Sequence, residues 1–158
     1  MRIEVPFKPL AAMALAASLF HVSAAPAPES AQPPLPTVHL SINGNSITAE
    51  VADEPHEQQA GLMFRDNLPP NSGMLFILSP PRRAAFWMKN TFLPLSIAYI
   101  NASGRILEIH ELEPGNKTSV PSAFPQIAYA LEMNRDWFRQ AGILPGDRLT
   151  GLPQPTPP

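Results

Sequence analysis

Proline is concentrated at the two ends of this chain, and this distribution limits where a fold can form. Five of the twelve residues at 25–36 are Pro, as are four of the six at 153–158. Because Pro fixes φ and lacks a backbone N–H, neither segment suits a helix or the interior of a sheet. We predict an extended Pro-rich spacer at 25–36, a disordered tail at 153–158, and a single compact domain at 37–152.

The first 24 residues have the pattern of an export signal. Two basic residues, Arg2 and Lys8, precede an uncharged apolar run at 10–20, and VSA at 22–24 resembles a small-residue cleavage site. The apolar run is much shorter than the roughly 20 residues that a membrane-spanning helix needs. We therefore predict a signal peptide at 1–24, with an uncleaved anchor as the alternative. The mature protein is expected to be periplasmic or secreted, without a membrane span.

Composition excludes several kinds of function. The chain has no Cys, which rules out disulfides, thiolate zinc sites, Cys nucleophiles and an acylated N-terminal Cys. Its 11 basic and 13 acidic residues leave no positive excess to neutralise phosphates, so nucleic acid is not expected as a partner. The sequence contains no nucleotide-binding, lipase-type or zinc-protease motif, and no cofactor is expected. Glu108, His110 and Glu111 favour a solvated strand face over a metal site.

Alternating apolar residues and turn signals predict a β-rich fold. Two alternating runs flank Asn43-Gly44, the strongest short hairpin signal, and a second hairpin is expected at 95–100 and 105–112 with Gly104 in the left-handed conformation. Further strands are predicted at 74–78, 84–88, 127–133 and 148–152, with a break between the first two at 80–83. This succession indicates an α+β domain of mostly antiparallel strands, arranged as a small, partly closed barrel with two short helices.

The two helices are predicted from capping signals. The first should begin at Asp53 as N-cap, with Glu54 and Pro55 in its first turn, and continue to Phe64. The second should begin at Asn134 as N-cap and continue to Ala141.

The segment FWMKNT at 86–91 is the densest group of side chains that could bind a ligand. Strand alternation would place Trp87 and Lys89 on one face, next to Asn90 and Thr91 at the strand end. An indole can stack on a ligand, while ammonium, amide and hydroxyl groups can form hydrogen bonds with it. The alternative is that Trp87 packs in the core and that Asn90 and Thr91 only turn the chain.

Two charged residues stand beside apolar segments. Glu132 interrupts the apolar run at 129–133, and Arg65 directly follows the first helix. A carboxylate inside a strand of this kind must reach water or a cation, because an unpaired buried charge is costly. Arg65 and Lys89 are the expected partners. The pair would be structural, or Glu132 would be a perturbed acid–base group.

Several motifs recur here in one order: GLMFR at 61–65, GMLF at 73–76, FWMKNT at 86–91, PL at 94–95, LE at 131–132 and GD at 146–147. This set resembles the bacterial and archaeal domain of unknown function family 192, also called the UPF-0127 family, over residues 48–152. The resemblance implies a compact β-rich domain, often exported, without an established activity. It also implies that the motif residues gather into one site; these are Arg65, Trp87, Lys89, Asn90, Thr91 and Glu132.

The chain departs from the family pattern at two positions. Ser96 follows Pro94-Leu95 where the family commonly has Asp, and an acid–base or metal-binding role of that Asp would be lost here. The family also tends to have Gly near Asp136, so the turn before the second helix is expected to be rearranged.

Three functions remain open. The first is an envelope protein that binds a small anionic or sugar-like ligand through the six residues of the predicted site. The second is a hydrolase with Glu132 as general base and Lys89 or Arg65 stabilising negative charge. The third is a Pro-rich-tethered interaction module that uses the segment at 80–83. The sequence decides neither the presence of catalysis nor the oligomeric state.

Overall fold

The computed structural model describes residues 28–154, which form eight strands and two short helices. The predicted signal peptide at 1–24 lies outside the described residues, as do the last four residues of the tail. The elements in chain order are β1 Thr37–Ile42, β2 Asn45–Ala52, α1 Pro55–Ala60, β3 Ser72–Arg82, β4 Ala85–Phe86, β5 Leu95–Ile100, β6 Ile106–Leu112, β7 Val120–Pro121, β8 Ile127–Asn134 and α2 Trp137–Gln140.

One six-stranded sheet forms the centre of the domain, with strand order β1-β2-β3-β8-β5-β6. All its neighbouring strands are antiparallel except β2 and β3, which are parallel because α1 carries the chain back between them. β4 and β7 form a separate two-stranded sheet. The α+β, mostly β class is confirmed. The large sheet curls only in part and does not close into a barrel.

Both predicted hairpins are present at their expected turns. Asn43 and Gly44 have φ of 48° and 80° between β1 and β2, where Ile42 pairs with Asn45. This is the turn geometry that Asn-Gly favours, because both residues tolerate positive φ. Gly104 has φ of 81° between β5 and β6 and lies against the backbone carbonyl of Leu149, which leaves no room for a Cβ atom.

The predicted extent of the first helix is wrong at both ends. α1 begins after Glu54, whose backbone N–H donates to the Glu57 carboxylate in a capping box, rather than after Asp53. It ends at Ala60 because Gly61 leaves the helical conformation with φ of 46°. Residues 61–64 form a turn instead, in which Phe64 has φ of 60°. The backbone N–H of Phe64 donates a hydrogen bond to the segment after β4.

The predicted break at 80–83 is also wrong, because β3 continues through both prolines to Arg82. The peptide bond between Ser79 and Pro80 is cis, and the pairing with β8 shifts register between Ile77 and Arg82. Pro is compatible with a strand at such an irregularity because no ladder N–H is needed there. Of the predicted strand at 84–88, only β4 forms. The predicted strand at 148–152 forms only two isolated bridges.

The second helix differs from prediction in its start and its cap. α2 has only four residues, and Asp136 rather than Asn134 occupies the N-cap position. Asn134 ends β8, and its side-chain amide donates to the backbone carbonyls of Leu68 and Pro69. Asp136 takes the left-handed conformation with φ of 64°, a conformation that Gly adopts more readily than other residues.

The central strands are buried on both faces because each face of the sheet supports its own apolar cluster. One cluster includes Leu75, Leu131 and Phe138, and the other includes Met74 and Ile97. Burial on both faces explains why β5 and β8 are nearly continuous apolar runs. Neither helix in residues 28–154 is long and apolar enough to cross a membrane.

Part of the Pro-rich spacer lies against the domain. Between residue 28 and β1 the chain has no helix or strand. The side-chain amide of Gln32 donates to the backbone carbonyl of Gly61 at 2.9 Å, and the backbone N–H of Leu35 donates to the Glu50 carboxylate at 2.8 Å. The segment before β1 is therefore attached both to the end of α1 and to β2.

Candidate functional site

Glu132 is a buried carboxyl in the middle of the sheet. It pairs in register with Met74 on β3 and Ile97 on β5, so its side chain lies on the face of the cluster that contains these two residues. Only 4% of its surface is exposed, and no hydrogen bond or ion pair to its carboxyl is found among residues 28–154. Burial raises the pKa of Glu132 to about 8. The carboxyl is therefore mostly protonated at neutral pH.

A small cavity of about 30 Å³ lies beside this carboxyl. Glu132 and Thr91 line it together with the turn that follows α1, and the rings of Phe76, Phe86 and Trp87 complete its wall. A cavity of this size has room for about one water-sized group. Glu132 thus borders a space that a polar group of a ligand could occupy.

A wider groove of about 310 Å³ adjoins the cavity, because the two share Gln58, Gln59, Phe86 and Trp87 among their lining residues. Arg82 at the end of β3 and Arg83, which follows it, also line the groove. We refer to the small cavity and this groove together as the Trp87–Glu132 cleft.

Trp87 and Lys89 lie together at the surface, as the alternation predicted. Trp87 is 44% exposed, and the Lys89 ammonium nitrogen lies 5.4 Å from the centre of its ring. Phe86 and Met88 point inward and pack with the cluster beneath. The backbone leaves strand geometry after Phe86, but the residues still alternate between surface and core. A partly exposed indole that already attracts a cation is suited to stacking on a ligand.

Arg65 does not pair with Glu132. Its guanidinium forms two hydrogen bonds, of 2.7 and 2.8 Å, with the Glu50 carboxylate on β2. Burial alone would raise the pKa of Glu50, but the bonds from Arg65 and from the Leu35 N–H lower it below its ordinary value. Arg65 Nε is buried without a hydrogen-bond partner. The pair fastens the turn after α1 to the sheet, and no ion pair to Glu132 is found among residues 28–154.

Sequence reasoning missed Glu50. It stands between Ala49 and Val51 in an alternating strand, and this pattern is typical of a residue that faces solvent. The register shows why it is partly covered: Glu50 pairs with Met74, which in turn pairs with Glu132, so all three side chains lie on one face. Only the parallel pairing of β2 with β3 creates this row.

Asn90 joins two turns through its backbone, whereas Thr91 lines the cavity. Asn90 has φ of 57°, and its backbone carbonyl accepts the N–H of Phe64 at 2.8 Å, which joins this turn to the one after α1. Thr91 is 5% exposed and lines the cavity. Of the six predicted site residues, Trp87, Thr91 and Glu132 line the cavity, and Lys89 lies over the indole. Arg65 and Asn90 hold the surrounding backbone instead.

Ser96 lies on the opposite face of β5 from the cavity. It pairs with Met133, the neighbour of Glu132 along β8, so the two polar side chains point to different sides of the sheet. The Ser96 hydroxyl donates to the Glu111 carboxylate at 2.7 Å and accepts the Asp136 N–H at 2.8 Å. Ser96 therefore organises the turn before α2 and does not line the cavity.

The polar groups on β6 do not form a metal centre in the described structure. His110 Nε2 lies 2.8 Å from the Glu108 carboxylate, which also accepts the backbone N–H of Ala123. Between residues 28 and 154 no group of three or more His, Asp or Glu side chains is placed to hold a metal ion. Glu108 instead ties β6 to the loop that follows β7.

Two solved bacterial structures are similar to this chain. A Sinorhizobium meliloti protein, provisionally described as a transcription regulator, is 34% identical, with a TM-score of 0.72 over 76% of this chain and 97% of its own. A Novosphingobium aromaticivorans protein of unknown function is 35% identical, with a TM-score of 0.68 over 73% of this chain and 85% of its own. None of the curated proteins compared with the chain matches it significantly.

The profile of the DUF192 family, described as uncharacterized ACR, matches residues 38–151. This range contains the large sheet except for its first residue, Thr37, and the whole Trp87–Glu132 cleft. With GLMFR, GMLF, FWMKNT and LE placed around one cavity and its supporting turns, the chain belongs to the DUF192 family.

Proposed function

We propose that this protein binds a small, hydroxylated, sugar-like ligand in the Trp87–Glu132 cleft. The observation that carries the proposal is the carboxyl of Glu132, which is buried without a partner in residues 28–154 and borders a cavity under a half-exposed indole. Buried polar groups are normally hydrogen-bonded, and a protonated carboxyl offers both a donor and an acceptor. A hydroxyl group of a ligand would satisfy both.

The residues of the cleft divide into three roles in this proposal. Trp87 stacks on the apolar face of the ligand, while Glu132 and Thr91 bind a hydroxyl group at the inner end. Lys89 lies at the outer side of the indole, where it can meet a polar substituent. Arg65 and Asn90 act as positioning residues, since they hold the two turns that frame the cavity.

A hydroxyl group of a sugar-like ligand suits the inner cavity better than an anionic group does. An anion next to Glu132 would oppose ionisation of that carboxyl and would itself lose its hydration. Acidic substituents are better placed in the outer groove, where Arg82 and Arg83 contribute positive charge. The ligand is therefore expected to enter with a neutral, hydroxylated end.

Native mass spectrometry of the freshly purified protein, followed by ¹⁵N NMR titration with glucose and glucuronic acid, tests the proposal. We expect a retained small molecule, or a saturable shift of the Trp87 indole signal that is larger with the neutral sugar. Trp87→Ala and Glu132→Leu should abolish binding, whereas Glu132→Gln, whose amide also offers a donor and an acceptor, should retain it. Phe124→Ala is the matched control, because Phe124 is similarly exposed and lines neither part of the cleft.

The result depends on the variants remaining folded. The double variant Trp87→Ala/Lys89→Ala should lose binding while its Tm changes by only a few degrees, since a cation–π contact at an exposed site contributes about 0.5–1 kcal/mol. Unfolding of this double variant would mean that the two residues serve packing. Equal ligand affinity in Trp87→Ala and Phe124→Ala would contradict the proposed cleft.

A second candidate function, hydrolysis, is favoured by one observation. Burial raises the pKa of Glu132 to about 8, which suits a general acid at neutral pH and a general base only above that pH. Arg65 is engaged by Glu50, so Lys89 is the remaining cation for developing negative charge. A ¹³C NMR titration that gives Glu132 an ordinary carboxyl pKa would contradict this function, and it would also remove the hydrogen-bond donor that the ligand proposal assigns to Glu132.

We also propose that the protein works in the periplasm or outside the cell after removal of residues 1–24. The support is the export signal in the sequence, with its short apolar run and VSA at 22–24. Intact-mass measurement on protein from the periplasmic fraction should find a chain that begins at Ala25. Recovery of full-length protein from the cytoplasm alone would contradict this.

A further inference from the structure

A second pocket of about 360 Å³ lies where several strands of the large sheet begin or end. β2 and β3 run parallel and begin there, and β8, which runs antiparallel to β3, ends there. The pocket is therefore lined by residues at three strand ends: Asn45, Asn71 and Asn134. It shares no lining residue with the Trp87–Glu132 cleft. We refer to it as the amide pocket.

Trp137 forms one wall of the amide pocket, and its ring is held from two sides. The indole N–H donates to the side-chain oxygen of Asn71 at 2.9 Å. The ring also contacts Phe138 edge-on, with ring centres 5.3 Å apart and planes at 89°. An aromatic ring fixed in this way offers a flat apolar surface without losing side-chain freedom on binding.

The three asparagine side chains are also held, and each keeps part of its hydrogen-bonding capacity. The NH₂ group of Asn134 donates to the backbone carbonyl of Leu68 at 3.0 Å, and the NH₂ group of Asn45 donates to the backbone carbonyl of Ile42 at 3.3 Å. Their carbonyl oxygens remain as acceptors, while Asn71 keeps its NH₂ as a donor, because its oxygen is bound by Trp137. The pocket thus presents oriented donors and acceptors around an aromatic wall.

Charge is nearly balanced at this site. No carboxylate lines the amide pocket, and its one cation, Arg135, donates to the backbone carbonyl of Leu112 and forms an ion pair of 3.0 Å with Glu113. Arg135 Nε is buried without a hydrogen-bond partner. A neutral ligand with many hydroxyl or amide groups suits these surroundings better than a charged one does.

We infer that the amide pocket is a second binding site and that it takes a neutral saccharide. A sugar ring has an apolar face of C–H groups for Trp137 and a rim of hydroxyl groups for the amides of Asn71 and Asn134. The volume lies in the range of sites for small molecules. This inference does not rest on the function proposed for the Trp87–Glu132 cleft, since the two sites have separate walls and different polar groups.

The chain contains two Trp residues, one in each site, so each indole N–H reports on its own site in ¹⁵N NMR. We would titrate the labelled protein with neutral disaccharides of glucose, galactose and N-acetylglucosamine. The Trp137 indole signal should shift saturably, together with side-chain NH₂ signals of Asn71 and Asn134. Trp87→Phe removes the other reporter and should leave this titration unchanged, which separates the two proposals.

Gln140→Leu is the test variant, because Gln140 lines the amide pocket and its side chain has no hydrogen bond to residues 28–154 that it would break. Loss of one polar contact should weaken saccharide binding about fivefold, with Tm unchanged. Arg139→Leu, next to it on α2 but outside the pocket, is the matched control. No shift of the Trp137 signal with any of the sugars, or equal weakening in both variants, would overturn the inference.

Discussion

Glu50 and Glu132 lie in one row of the large sheet, on the same face and two strands apart, with Met74 between them. They have opposite electrostatic surroundings. Arg65 binds Glu50 and, with the Leu35 N–H, lowers its pKa against the effect of burial, whereas burial without a partner raises the pKa of Glu132 to about 8. The fold thus pairs one acid with a cation and buries the other as a mostly protonated carboxyl.

The free energy of unfolding should depend on pH through Glu132. In the folded protein this carboxyl keeps its proton up to pH about 8, whereas the unfolded chain releases it near 4.5. Between these values the folded state binds more protons, so stability falls as pH rises, by at most about 1.4 kcal/mol per pH unit. Urea denaturation of Glu132→Gln across this range should lack that decline. An identical pH profile in both proteins would contradict the raised pKa.

Removing one partner of the Arg65–Glu50 pair should cost more than removing both. Arg65→Met leaves a partly buried carboxylate without its cation and should lower the free energy of unfolding by about 3 kcal/mol. Glu50→Gln on that background should recover part of the loss. A double-mutant cycle at pH 7 measures the coupling, and its value should decline as pH falls from 4.5, where the unfolded chain takes up the proton, through the lowered pKa of folded Glu50. Additive effects would contradict a direct interaction.

An acid at position 96 should destabilise this chain. Ser96→Asp would place a second carboxylate where the hydroxyl now donates to Glu111, so we expect a loss of about 1–3 kcal/mol. Asp can still accept the Asp136 N–H, and Glu111→Gln should therefore rescue the variant. Thermal unfolding of the three proteins checks this. A fully stable Ser96→Asp single variant would show that Glu111 can move away without cost.

The left-handed backbone at Asp136 makes this position tolerant of Gly and intolerant of branched residues. Asp136→Gly should raise the free energy of unfolding by up to about 1 kcal/mol, while Asp136→Val should lower it by about 1–3 kcal/mol because of strain at φ of 64°. Asp136 also pairs with the exposed Arg139. Arg139→Ala serves as the control for loss of that pair, which should contribute less than 1 kcal/mol. Equal stability of the Gly and Val variants would contradict the strain.

Local signals predicted most of the strands and their turns. Asn43-Gly44 and Gly104 specify hairpins because positive φ is required there and few other residues adopt it easily. The inward direction of Phe86 and Met88 beside an exposed Trp87 follows from alternation alone. The ends of α1 and α2 and the course of β3 through Pro80 were predicted wrongly. The ends of α1 follow from the Glu54–Glu57 capping box and from Gly61, two local signals that were not recognised. The start of α2 depends on distant residues, because Asn134 donates to the backbone carbonyls of Leu68 and Pro69.

The amino-acid sequence by itself determined that the chain has a β-rich domain between Pro-rich ends, that it carries the DUF192 motifs, and that Glu132 stands in an apolar strand. Only the tertiary structure decided which cation serves which acid. The parallel pairing of β2 with β3 brings Glu50 into the row of Glu132 and within reach of Arg65. Ion pairing depends on distances of a few ångströms between residues far apart in the chain, and no local pattern encodes these.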